Sequence, residues 1–371
     1  MSWSSLLLAV SAAVAPFAVG LASAKADIVK PSVLDPVSHD NLSIYFVRGP
    51  SAPGPVPLTL SEALMKGAVT VLETGNVNEL KIENTGSEDV FVQAGDIVKG
   101  GQQDRVLTVS LLVPGKSGQI PIGAYCVEHG RWSARGHEDV KRFASAEKAV
   151  PSREAKLAMM APAKPEPMPD AAAQAVPAGN VNRIPQQRQL YGAASETSSR
   201  QGEVWKNVGK IQDKLSATLN ARVASGVSDS SLQLALENEK LGQARADYIK
   251  AIREAGEKAD DVVGVVVAIN GRMSSADVYP SNALFRKMWP KLLDAAATEA
   301  IGEKSAAAVA PAPAPEIAQS FLTAGDKAQP AAPATPLAAA LTREVRDADQ
   351  TLLVETKRKD GSFIHRTYMA K

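Results

Sequence analysis

Residues 262–280 read VVGVVVAINGRMSSADVYP, and this stretch decides how the chain is put together. Residues 262–269 are apolar at nearly every position, without the alternation of a strand that has one wet face, and so predict a strand buried on both faces. Asn270-Gly271 follows, the pair favoured where both central residues of a tight turn need positive φ. The chain therefore doubles back as a hairpin as far as Tyr279. A helix is expected over about 281–301, packing through Leu284, Phe285, Met288, Trp289 and Leu292, with Pro290 kinking or restarting it. A doubly buried strand also needs a sheet neighbour on its other side, which reaches back to the first half of the chain.

That half is rich in strand signals. Residues 42–47 read as a short strand and 49–57, dense in Pro and Gly, as a loop. Thr59 with Glu62 has the form of a capping box opening a short helix that Gly67 would end. Five β-branched runs follow, at 69–72, 80–82, 90–92, 106–113 and 120–127, with the spacing of a sandwich or small barrel. The composition then turns Ala- and Pro-rich, and 149–185 reads as a flexible linker. Val204, Val208, Ile211 and Leu215 share one helical face, as do Leu234, Leu241, Tyr248 and Ile252. These are two amphipathic helices, 200–223 and 229–255, expected to pair as an antiparallel hairpin. Gly226 would end the first, and Ser228 or Asp229 would cap the second. A second Ala/Pro-rich linker is expected over 304–340, and 341–371 reads as an accessory tail with a hairpin at Asp360-Gly361. The fold class is α+β: a β-rich sandwich or barrel-like block (25–148), then a second block (186–303) of helical hairpin, β-hairpin and packing helix. The two blocks are expected to share one core.

With 41 basic against 40 acidic residues, nothing favours capture of nucleic acid or of an anionic membrane surface. The first 24 residues combine an apolar run with Ala22-Ser23-Ala24, the pattern of a cleaved export signal, which implies a periplasmic or secreted chain. Because no Lys or Arg precedes the run, an uncleaved N-terminal anchor is the alternative. No later segment reaches the length of a membrane span. Cys126 is the only cysteine among 371 residues, so no internal disulfide forms. His39, His129, His137 and His365 match no common zinc spacing. Neither a metal nor a cofactor is expected.

Two polar clusters carry the chemistry. CVEHGRW at 126–132 gathers a thiol, a carboxylate, an imidazole, a guanidinium and an indole, and KGGQQDR at 99–105 lies one strand upstream. A β meander would bring them to one end of a sheet. Strand alternation puts Ile120, Ile122, Ala124, Cys126 and Glu128 on one face, with the apolar members marking the core side. Cys126 is then a small buried hydrophobe or a nucleophile, and Glu128 a solvated partner of Arg131 or an inward general acid/base. Gly100-Gly101 either lets backbone N–H groups approach an anion or forms a bulge or turn.

Three segments, AGDIVKGGQQDRV at 94–106, IPIGAYCVEHGRW at 120–132 and VVVAINGRMSSADVYPSNALFRKMWPKLL at 265–293, resemble the domain family named for its association with ADP-ribosylglycohydrolases and rhodanese-type phosphatases. The resemblance spans about 42–301 and hints at nucleotide-derived ligands. Carried over by motif, it marks Lys99, Gln103, Asp104, Arg105, Cys126, Glu128, Arg131, Trp132, Asn270 and Asp277, and it treats the linker and the tail as additions to the shared domain. The expected function is a binding or accessory module for a small anionic or nucleotide-like ligand, with Trp132 stacking and Arg105 or Arg131 clamping. The alternatives are a hydrolase using Glu128, with or without Cys126, and an envelope interaction protein that oligomerises through helices 200–223 and 229–255.

Overall fold

The structure is a computed structural model that describes residues 32–162, 184–305 and 308–371. The expected export signal lies outside them. Residues from Pro31 onward form one compact unit, and within it a large sheet, a closed barrel and a helical layer share their cores.

The decisive strand, β13 (Val262–Ile269), is buried at every position. Its hairpin partner is β14 (Arg272–Val278), and Asn270 and Gly271 between them take φ of 51° and 70°, as the tight turn requires. Its other neighbour is β3 (Leu42–Arg48), paired antiparallel from Ile269↔Leu42 to Val262↔Arg48. The sheet continues outward from β3 through β1 (Ser32–Val33) and β2 (Val37–His39).

The first block closes into a barrel of β5 (Val69–Glu73), β6 (Glu79–Asn84), β8 (Asp96–Gly100), β9 (Arg105–Leu107), β11 (Gly118–Cys126) and β12 (Arg142–Ala149). Val71, Leu80, Ile82, Val98, Leu107 and Phe143 fill its interior. A three-stranded sheet of β4 (Leu58–Thr59), β7 (Val90–Val92) and β10 (Leu111–Val113) lies beside it. Helix α1 (Leu60–Met65) starts at the expected capping box of Thr59 and Glu62.

Several expectations change. The segment read as a linker over 149–185 contains α2 (Arg153–Met160), because Ala155, Met159 and Met160 are buried against the shared core. The first amphipathic helix is longer than expected, α3 (Ile184–Thr218). The second is split into α4 (Leu232–Leu236) and α5 (Glu239–Lys258), capped by Ser231 and Asn238 rather than by Ser228 or Asp229. Helix α5 packs chiefly on α6 (Asn282–Gly302) instead of forming a closed hairpin with α3. Leu241, Tyr248 and Ile252 are buried, and Trp289 Nε1 donates to the Arg253 carbonyl at 2.9 Å. Helix α6 runs through Pro290 without restarting; Met288, Trp289, Leu292 and Leu293 are all buried and outweigh one missing hydrogen bond.

The second expected linker, 304–340, contains α7 (Pro315–Lys327). Ala318, Phe321, Leu322 and Gly325 recur at helical spacing, and all four are buried. They cover one face of the large sheet together with Val263, Val266 and Ala268, whereas Val265, Val267 and Ile269 face the core shared with α5 and α6. The tail is no accessory: β16 (Thr342–Asp347), β17 (Thr351–Lys357) and β18 (Phe363–Ala370) extend the large sheet, with β18 paired to β14 and β15 (Thr335–Pro336) at the edge.

Candidate functional site

The two polar clusters meet at one end of the barrel. Strands β9 and β11 pair there, Cys126 opposite Arg105, so KGGQQDR and CVEHGRW become neighbours. The Asp104 N–H donates to Glu128 Oε2 at 3.1 Å, and the Val127 N–H donates to the Asp104 carbonyl at 3.0 Å. The expected strand parity holds: Ile120, Ile122, Ala124, Cys126 and Glu128 are all buried.

Asp104 and Glu128 are both 0% exposed, a costly position for a carboxylate unless charge and donors surround it. Arg135 makes a two-pronged contact with Asp104, Nη1 to Oδ2 at 2.9 Å and Nη2 to Oδ1 at 3.0 Å. Ser231 Oγ and the Gly100 N–H also donate to Asp104, at 2.9 and 3.1 Å. Glu128 accepts from Arg131 Nε at 2.8 Å and from Ser228 Oγ at 2.6 Å. Burial works against the Arg135 charge, but Asp104 and Glu138 more than offset it and raise its pKa. Two guanidiniums thus saturate two carboxylates and fasten the loop after β11 to the barrel and to the residues leading into α4.

Gly100 and Gly101 both take positive φ, and a Cβ on Gly101 would lie 2.2 Å from the Phe143 ring, so side chains are excluded there. Their N–H groups donate to Asp104 Oδ1 and to the Asp139 carbonyl, while their carbonyls accept from Arg131. The pair serves a turn, and its donors are engaged within the chain.

The remaining candidates separate into three groups. Arg105 is buried, 3.4 Å from Glu73, and donates to the Gln103 carbonyl at 2.9 Å; Gln103 is itself buried, with no hydrogen bond to its Oε1 among the described residues. Cys126 is fully buried, its backbone held on both sides by the Gln201 amide, and burial above all pushes its thiol up to about 11. Lys99 pairs with Glu237 at 3.2 Å on the rim, and Trp132 is 56% exposed. His129, three residues before Trp132 in sequence, packs edge-on against Trp205 with ring centres 4.5 Å apart.

Asn270 and Asp277 belong to other networks. Asn270 bonds Asn41 and the Glu303 carbonyl at the hairpin turn. Asp277 lies 3.2 Å from His365 Nε2, whose Nδ1 is 2.9 Å from Ser110 Oγ. Serine, histidine and aspartate meet there, yet Ser110 is only 5% exposed and its Oγ accepts the Ala94 N–H. Burial pushes the Asp277 carboxyl up, but His365, Lys156 and Thr367 together hold it below its ordinary value.

Sequence reasoning missed Glu73, Arg135, Ser228 and Ser231. Arg135 had a local signal, four residues beyond Arg131 in the same polar loop; the serines had none, since they arrive from a hundred residues away. Among the described residues no His, Cys, Asp and Glu group could hold a metal ion, and no helix is long and apolar enough to cross a membrane.

The family model that matches this chain covers residues 30–369, from the edge of the large sheet to its last strand, and therefore includes the linkers and the tail. Its description is ARG and Rhodanese-Phosphatase-superfamily-associated Protein domain. No curated protein and no solved structure matches the chain.

Proposed function

The chain belongs to the family of ARG and Rhodanese-Phosphatase-superfamily-associated Protein domains, and from that premise we propose that it is an exported, non-enzymatic binding module that presents Trp132 to a small nucleotide-like ligand. The observation that carries this reading is the contrast at the end of the barrel. An indole 56% exposed stands on a loop whose underside is fixed by Arg131 and Arg135 on two buried carboxylates. A rigid aromatic surface loses little freedom on binding and offers a broad face for stacking. Because Arg105 and Arg131 are engaged by Glu73 and Glu128, recognition rests on the stacking face rather than on a guanidinium clamp.

Two observations weigh against the hydrolase alternative. Glu128 is 0% exposed and already accepts from Arg131, Ser228 and the Asp104 N–H, which leaves at most one of its carboxylate lone pairs open to a substrate proton. Cys126, with its thiol near 11, is protonated at neutral pH. Oligomerisation through the amphipathic helices is disfavoured likewise, since Val204, Val208, Ile211, Leu241 and Ile252 are buried within the chain. Export is supported by the apolar leader and the Ala22-Ser23-Ala24 that ends it.

Fluorescence titration with ADP-ribose, AMP and inorganic phosphate tests the binding role; the family description motivates the first probe. Saturable quenching by the adenine compounds, absent in Trp132→Ala and absent with phosphate, is expected. Equal affinity in Trp132→Ala, or no response to any nucleotide, overturns it. Cell fractionation with N-terminal sequencing tests export, the expected mature end being Lys25.

A further inference from the structure

Beneath the large sheet, away from the barrel end, lies a second set of buried charges with a different arrangement. Lys156 on α2 is 9% exposed. Among the described residues its ammonium makes no hydrogen bond and no ion pair, although its charge acts on both Asp277 and Glu299. It lines a cavity of about 20 Å³, whose other walls include Gln93, Ser275, Asp277, Lys291 and Glu299. An ammonium carries three donors and has no acceptor of its own, so a buried lysine facing a void whose walls are mostly apolar leaves strong bonds unmade unless one of the few polar groups there is bridged to it.

The two carboxylates keep acceptor capacity. Glu299 Oε1 takes the Arg153 N–H at 3.0 Å and the Ser274 hydroxyl at 3.1 Å, and no protein donor reaches its second oxygen among the described residues. Asp277 is shared with His365. A void of this size admits one water, and a buried water is stable where two to four polar partners surround it.

A second cavity lies outside the first, between α2, α3 and α6. It is walled by Ser152, Asn207, Lys210 and Lys214 among others, and it shares Pro151 and Glu299 with the inner one. Glu299 therefore borders both the outer groove and the cavity that holds the buried charges.

We propose that the inner cavity is a water-binding site, in which one water bridges Lys156 to Asp277 and Glu299 and exchanges with solvent through the outer groove past Glu299. The bridge supplies the ammonium with the acceptor that no side chain reaches. It also puts the buried Asp277 one hydrogen bond from an exchanging water, with His365 reached through Asp277 and Ser110 through His365. This site stands apart from the Trp132 surface, and neither depends on the other.

High-resolution crystallography of the full chain tests it first. A single solvent peak within hydrogen-bonding distance of Lys156 Nζ and of a carboxylate oxygen is expected; an empty cavity, or Lys156 collapsed directly onto Glu299 or Asp277, overturns the proposal. Oxygen-17 relaxation dispersion of the solvent reads the same water in solution. The step from long-lived waters should fall by one water in Lys156→Met and stay unchanged in Lys210→Met, which alters only the outer groove. An unchanged step in a folded Lys156→Met would sink the bridge. Should that variant not fold, the wild-type density decides alone.

Discussion

The two buried charge networks solve one problem in opposite ways. At the barrel end, Arg131 and Arg135 touch Glu128 and Asp104 directly at 2.8 to 3.0 Å. Under the large sheet, Lys156 lies apart from Asp277 and Glu299 across a small void. The difference follows from side-chain shape: a guanidinium is a flat fork of five donors that can saturate carboxylates in a dry site, whereas an ammonium is a point charge that depends on what surrounds it. The dry network should thus be the stiffer and more costly to break, and the other the more sensitive to pH.

The largest effect should come from Arg135→Met. It removes the two-pronged charge partner of Asp104 and leaves Arg131 alone between two buried carboxylates, with only the Ser231 and Gly100 donors besides on Asp104, so stability should fall by about 3–5 kcal/mol in urea denaturation. Adding Asp104→Asn should recover much of that loss. A fall of only about 1 kcal/mol, the scale of an exposed pair, would mean the network is solvated after all.

Lys156→Met should cost less, about 2 kcal/mol, because Asp277 keeps His365 and Glu299 can take up a proton. A cost equal to that of Arg135→Met would erase the contrast between the two networks.

The pH dependence sharpens it further. Asp277 is held below its ordinary 3.8, so it adds stability that is present above that value and is lost as pH falls through its lower folded pKa. Glu299 has the opposite sign. Burial above all raises it from 4.5, so its ionised form is disfavoured in the fold and stability recovers as pH falls through the raised value. Urea midpoints taken from roughly pH 7 to 3 should lose that recovery in Glu299→Gln and lose the acid-side decline in Asp277→Asn. Curves identical to wild type in both variants would remove these groups from the linkage.

The smallest effects belong to the rim. Trp132→Ala should change stability by no more than about 0.5 kcal/mol, since the indole is exposed. Cys126 should resist alkylation at neutral pH until the chain unfolds, as mass spectrometry can follow. Rapid labelling of the native protein would contradict the burial of its thiol.

Much of the fold was legible. The uninterrupted apolar run before Asn270-Gly271 predicted a doubly buried strand, and β13 is one. The β-branched runs predicted a sandwich or small barrel, of which the structure has the barrel, and the Thr59 and Glu62 pair predicted a helix start. At the candidate site, a β meander predicted the meeting of the two clusters, and alternation along β11 put Glu128 on the core-side face while leaving open whether it is solvated beside Arg131 or turned inward. Composition misled at α2 and α7, where Ala and Pro masked short buried stripes. The amphipathic helices had the right faces but the wrong partner, because periodicity marks which side of a helix is buried and not what buries it.

Over its clearly periodic segments the sequence by itself determined which residues are extended, which are helical and which side of each turns inward, since those follow from spacings of two and of three to four residues. Only the tertiary structure decided what each inward side meets. That α7 supplies the second cover of β13, that Arg135 and two distant serines fill the lone pairs of Asp104 and Glu128, and that Lys156 is left facing a void all depend on long-range contacts. Hydrogen-bond capacity and core volume are satisfied in space, between residues whose separation along the chain carries no period.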